Sequence, residues 1–242
     1  MKQLLFTILL TGFTLFSIQA QDIDRTAGWY SSINSIGLTK KIRLQLDMAL
    51  RSTDKWEHVN TWFLRPGLAY NPDKRHTYTL GFNYVMNRTT SGGITDFIPE
   101  KQIWEQFWYR HPLGKWNLTH RISLEQRFVS PVFVSNGQLK TNSASMVSRF
   151  RYWLRAVLPL EKQPVAGKGN YLVLQNEIFL GFGDISLVNG KTFDQNRALA
   201  GLGHHFSPLF DMELGYQFRR IQGKGSIDYN DHILQLTTLL RL

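Results

Sequence analysis

Arginines and carboxylates recur in this chain at every second or fourth position. Examples are Arg149, Arg151 and Arg155; Arg121, Glu125 and Arg127; Asp211 and Glu213; Arg43 and Asp47. In an extended backbone successive side chains face opposite ways, so residues two apart share a face. This spacing therefore gathers guanidinium and carboxylate groups on one surface. The chemistry open to such a surface is ion pairing, often bidentate, or the binding of anions. The candidate set is Arg43, Asp47, Arg121, Glu125, Arg127, Arg149, Arg151, Arg155, Glu177, Arg197, Asp211, Glu213 and Arg219, with Arg241 close to the end. Read structurally, these residues pair up and stiffen the fold. Read functionally, they line a passage or pocket for small anionic solutes.

A search for catalytic groups finds less. His58, Asn60, Asp231 and His232 fall near the ends of extended segments, and a histidine beside a carboxylate is a general-base arrangement. No serine stands in a nucleophile context, so the residues read as polar rim and no catalytic residue is assigned. His204 and His205 are adjacent in an extended segment and face opposite ways, so they cannot hold one metal together. There is no zinc-type ligand spacing. The glycine pairs Gly181/Gly183 and Gly201/Gly203 precede no helix and are not phosphate loops. Neither a cofactor nor a metal is expected.

The elements that carry these groups are long alternating segments. From Lys41 to Arg51, Ile42, Leu44, Leu46, Met48 and Leu50 oppose Lys41, Arg43, Gln45, Asp47 and Arg51. Similar patterns run over 59–70, 76–87, 116–128, 148–160, 171–182, 196–206, 211–219 and 232–242. The segment 103–111 is strand-like but of ambiguous facing, since Glu105 falls among Ile103, Phe107 and Tyr109. Soluble strands average about 5–6 residues, whereas strands crossing a tilted bilayer need about 9–11. The length predicts a transmembrane antiparallel up-and-down β-barrel with its apolar face outward and its charged face enclosed. Tyr78 and Tyr84 lie about 20 Å apart along their strand at ~3.3 Å per residue, close to the separation of two aromatic girdles.

Connections near Ser52, Arg88, Ser130, Gly183 and Gln222 are the longer ones, and those near Asn71, Pro112 and Ser207 are short. Residues 88–98 and 129–142 read as long loops. The asymmetry predicts ten strands over 41–242, with twelve as the alternative, and leaves 21–40 as an N-terminal segment or short first strand. Residues 1–20 read as a secretory signal peptide cleaved after Ala20: Lys2, an apolar run to Phe16, then small residues. With 0 Cys there is neither a disulfide framework nor a lipoprotein anchor. The net charge of +10 fits anionic lipid headgroups or a positive lumen, and in an exported chain argues against nucleic acid. The expected location is the cell outer membrane, with its lipids as partners. A rim-located lipid-modifying hydrolase and a soluble periplasmic lipid-binding barrel with reversed facing are the alternatives.

Several phrases resemble one family. They are His120-Arg-Ile-Ser-Leu-Glu-Gln-Arg-Phe128, Arg149-Phe-Arg-Tyr152, Gln195-Asn-Arg197 with Gly201-Leu-Gly203, Glu213-Leu-Gly-Tyr216, and the early Gly28-Trp29. In this order they are similar to the twenty-four-ninety domain-of-unknown-function family, over nearly all of the chain after residue 20. The resemblance implies an exported outer-membrane barrel of Gram-negative bacteria, inserted by the barrel-assembly machinery, with no activity and no functional residue to carry over. This chain ends in Leu242 where such barrels commonly end in Phe; the residue still falls on the apolar face.

Overall fold

The computed structural model describes residues 21–161 and 168–242, so the expected signal peptide lies outside the described residues. The strands are β1 (Gln21–Gly37), β2 (Ile42–Ser52), β3 (Val59–Tyr70), β4 (His76–Ser91), β5 (Ile94–Leu113), β6 (Trp116–Val129), β7 (Val132–Ser135), β8 (Gln138–Thr141), β9 (Ser145–Pro159), β10 (Gly169–Gly183), β11 (Phe193–Ser207), β12 (Phe210–Gln222) and β13 (Ile227–Arg241). β7 and β8 pair only with each other. The other eleven close a barrel in the order β1-β13-β12-β11-β10-β9-β6-β5-β4-β3-β2.

Eleven differs from both counts that the connection lengths gave, and β1 is the reason. It is a full strand of 17 residues, not a short segment. It pairs antiparallel with β2 and parallel with β13, from Gln21↔Ile227 to Ser35↔Arg241. A parallel closing pair is what permits an odd number. The sequence of β1 alternates poorly because Ser32 and Asn34 share the face of Met48 and Leu46. Asn34 Nδ2 donates to the Leu46 carbonyl at 2.8 Å and to Ser32 Oγ at 3.1 Å, which satisfies its polar group on that face.

Two predicted loops are largely strand. β4 and β5 continue through 88–98 and meet at Gly92-Gly93, both at positive φ (55° and 78°), the conformation a tight two-residue hairpin turn demands. Likewise 132–141 forms the β7–β8 hairpin around Asn136-Gly137. Alternation fades in these extensions because neither face there is uniformly apolar.

The barrel is inverted relative to a soluble one. Leu80, Leu202, Leu68 and Tyr78 project outward and are more than half exposed, while Trp104, Tyr171 and Phe179 are buried inside. An apolar-lined carrier cavity is therefore not the arrangement found. Register also settles the facing of β5: Trp104 and Gln106 point inward, and Glu105 stands on the apolar outer face between Leu80 and Leu124. Large inner rings fill space left by glycines, with Trp104 over Gly67 and Gly81 and Tyr171 over Gly203.

Candidate functional site: the enclosed charges

Because all strands alternate, every residue of the predicted charged set lies on the inner face. Long guanidinium side chains from different strands then converge on a few short-reaching carboxylates. Glu125 on β6 is 1 % exposed. It accepts from Arg149 Nε and Nη2 at 2.9 and 2.6 Å, from Arg151 Nη1, and from Arg65 Nη2 at 3.5 Å. Arg151 also reaches Glu177, donating from Nε and Nη2 at 2.9 and 2.7 Å, where Arg121 Nη2 joins at 2.6 Å. Arg149 continues the chain to Asp194 at 3.1 Å. Arg127 grips Glu100 bidentately at 2.7 and 2.9 Å. Apart from the Arg127–Glu100 pair, which bridges β6 and β5 beside it, these contacts form one network across β3, β6, β9, β10 and β11 at mid-height.

A second group lies towards the short-turn end. Arg155 and the Tyr171 hydroxyl both donate to Glu213, the latter at 2.8 Å. Asp211 takes His205 at 2.6 Å and Arg241. Near the long-loop end Asp231 is shared by Arg25 and Arg219, each Nε at 2.7 Å.

Three members of the predicted set do not form the arginine–carboxylate pairs expected of them. Arg43 donates instead to Ser35 Oγ and to the carbonyls of Ser35 and Leu242, at 2.6, 2.8 and 2.9 Å, and so ties β2 to β1 and to the chain end. Asp47 is held by Gln45 at 2.8 Å. Arg197 donates only to Gln195, at 3.1 and 3.0 Å. Arg51, Arg65, Glu100 and Asp194 belong to the site but not to the predicted set. Arg51 and Arg65 were available from parity alone; Glu100 lies on a strand just past a segment read as a loop, where the alternating pattern had lapsed.

Space inside the barrel among the described residues includes an outer cavity of about 200 Å³, a central one of about 130 Å³ and an inner one of about 690 Å³. The outer and central cavities share Arg51 and Arg197 as wall; the central and inner ones share Trp153 and Gln175. The rim histidines are not assembled. Asp231 points inward to its arginines, whereas His232 points outward and meets the Tyr216 hydroxyl at 2.7 Å. No group of three or more potential metal ligands occurs among the described residues.

Charged groups enclosed by long strands whose apolar side chains face out define a closed β-barrel with a polar lumen. The chain belongs to the family described as protein of unknown function (DUF2490), whose profile matches residues 26–230. One solved structure similar to it is the beta domain of the Bordetella autotransporter Brka. The two share 12 % identity over 76 % of this chain and 78 % of that one, with a TM-score of 0.43. No curated protein matches the chain.

Proposed function

We propose that this protein is an outer-membrane β-barrel whose lumen is plugged by its own side chains, a structural rather than a conducting element. The observation that carries this reading is the convergence of Arg65, Arg149 and Arg151 on Glu125 at mid-height. A barrel of about 8 strands is just wide enough for side chains to fill, while open aqueous channels come at about 16–18. Eleven strands lie near the filled end, and long arginines supply the additional reach. The exposed leucines and aromatics of the outer face are the surface that acyl chains cover.

Planar-bilayer recording tests the proposal. The wild-type barrel is expected to be electrically silent, and the double variant Glu125→Ala/Glu177→Ala to show discrete openings. Sustained anion-selective conductance in the wild type would replace the plug by a narrow pore. Recovery of the chain from membranes without detergent would remove the bilayer setting altogether.

A further inference from the structure

We propose that the lumen holds one small oxyanion, seated between Arg51 and Arg197. Among the described residues, these are the two guanidiniums of the central region that no carboxylate hydrogen-bonds; Arg197 has only Gln195, and Arg51 Nε is buried with no partner. Both lie against the same indole, with Arg51 Cζ 4.3 Å and Arg197 Cζ 5.1 Å from the Trp29 ring centroid. Arg219 is there too, at 4.8 Å, but Asp231 accompanies it. Like charges brought together in an enclosed space are costly unless a counter-charge joins them.

The space for that counter-charge exists. The central cavity of about 130 Å³ is walled by Arg51, Arg197, Arg121, Gln217, Gln235 and Glu177, among others. One water claims about 30 Å³ of liquid volume, so the cavity exceeds a single water. Arg51 Nε, Arg121 Nε and Gln217 Nε2 are buried donors with no acceptor, and all three residues line it. Glu177, the carboxylate on the same wall, is already committed to Arg121 and Arg151. Asp47, whose carboxylate lacks an arginine, lines neither this cavity nor the outer one. Planar guanidinium forks and an amide N–H match the several oxygens of a phosphate, a sulfate or a small carboxylate better than a spherical ion.

The inference rests on the enclosed lumen of the proposed function, not on its being closed to flow. Titration calorimetry of the full barrel in detergent, at constant ionic strength, uses inorganic phosphate, sulfate and chloride as separate probes. Saturable binding of one phosphate or sulfate per chain is expected. Arg51→Gln and Arg197→Gln should each weaken it at least tenfold, with Arg220→Gln, at the rim, unchanged. Absence of saturable binding in the wild type, or unchanged affinity in both lumen variants, overturns the proposal; binding of chloride alone overturns the oxyanion assignment. Heat-modifiable migration shows whether the variants fold. If neither does, anomalous diffraction from wild-type crystals soaked in selenate decides: a peak between the two guanidiniums is expected, and its absence is fatal to the site. A conducting barrel that still binds phosphate would sink the plug alone, and a silent barrel that binds nothing would sink the anion site alone.

Discussion

The Trp104 ring, together with the Pro66 carbonyl, occupies the volume that a β-carbon on Gly81 would need, and the ring covers Gly67 in the same way. Two glycines on neighbouring strands thus form the floor of one fully buried indole. Overpacking such a contact costs about 1–3 kcal/mol. Gly81→Val is expected to lower unfolding stability by that amount in urea titrations of the reconstituted barrel, and shortening the ring in Gly81→Val/Trp104→Leu to recover part of it. Equal stability of Gly81→Val and wild type would contradict the packing described.

Glu105 stands on the outer apolar face with no ion-pair partner among the described residues, in a groove of about 530 Å³ walled by Leu68, Leu80, Phe107, Ile122 and Leu124. Charged residues on the lipid face near the midplane cost up to about 2–4 kcal/mol, with acidic ones at less than the basic ones. Glu105→Leu should therefore raise stability by about 1–2 kcal/mol in lipid vesicles. The gain should shrink for Glu105→Gln, which keeps a polar head. Measured unfolding free energies in vesicles check both; a loss of stability in Glu105→Leu would indicate a partner for the carboxylate.

Arg43 spans the seam where the first and last strands meet. Hydrogen bonds made by charged groups contribute about 1.5–3 kcal/mol each, though part of that is recovered by water near the barrel mouth. Arg43→Ala is expected to cost about 1–3 kcal/mol overall and to speed hydrogen exchange selectively at the Gly37 and Leu242 amides, which pair across the same junction. Uniform exchange across all strands would remove the seam-specific role.

The β3–β4 turn carries its own pH dependence. The His76 ring and the backbone N–H groups of His76 and Arg75 hydrogen-bond Asp73 and hold its carboxyl down at about 2. An unperturbed aspartate titrates near 3.9, so the folded state favours the ionised form. The stabilisation is complete above that ordinary value and disappears as pH falls through about 2. Melting temperatures of wild type and Asp73→Ala should differ by a constant small gap above pH ~4 and converge at lower pH. A gap that widens on acidification would reverse the sign.

Alternation made much of this barrel legible in advance. The run Ile42 to Leu50 shows its two faces residue by residue, because an apolar exterior imposes a strict period of two. The same parity places Glu125, Arg149 and Glu177 indoors. What alternation does not carry is long-range. Parallel pairing of β1 with β13 has no local signature, and the polar Ser32 and Asn34 on the outer register conceal the first strand. Which carboxylate each arginine reaches depends on barrel radius and side-chain length. Hence Asp47 and Arg197 looked like partners in waiting, although each is held by a neighbouring glutamine instead. The 88–98 segment was missed because its two faces are alike in polarity.

Parallel closure has a topographical corollary. With β1 running alongside β13, Gln21 starts level with Ile227 and the chain finishes at Leu242 beside Ser35. In the membrane setting proposed above, an epitope spliced ahead of Gln21 and another appended to Leu242 would be displayed to different compartments. Impermeant labels applied to intact cells should find one and miss the other.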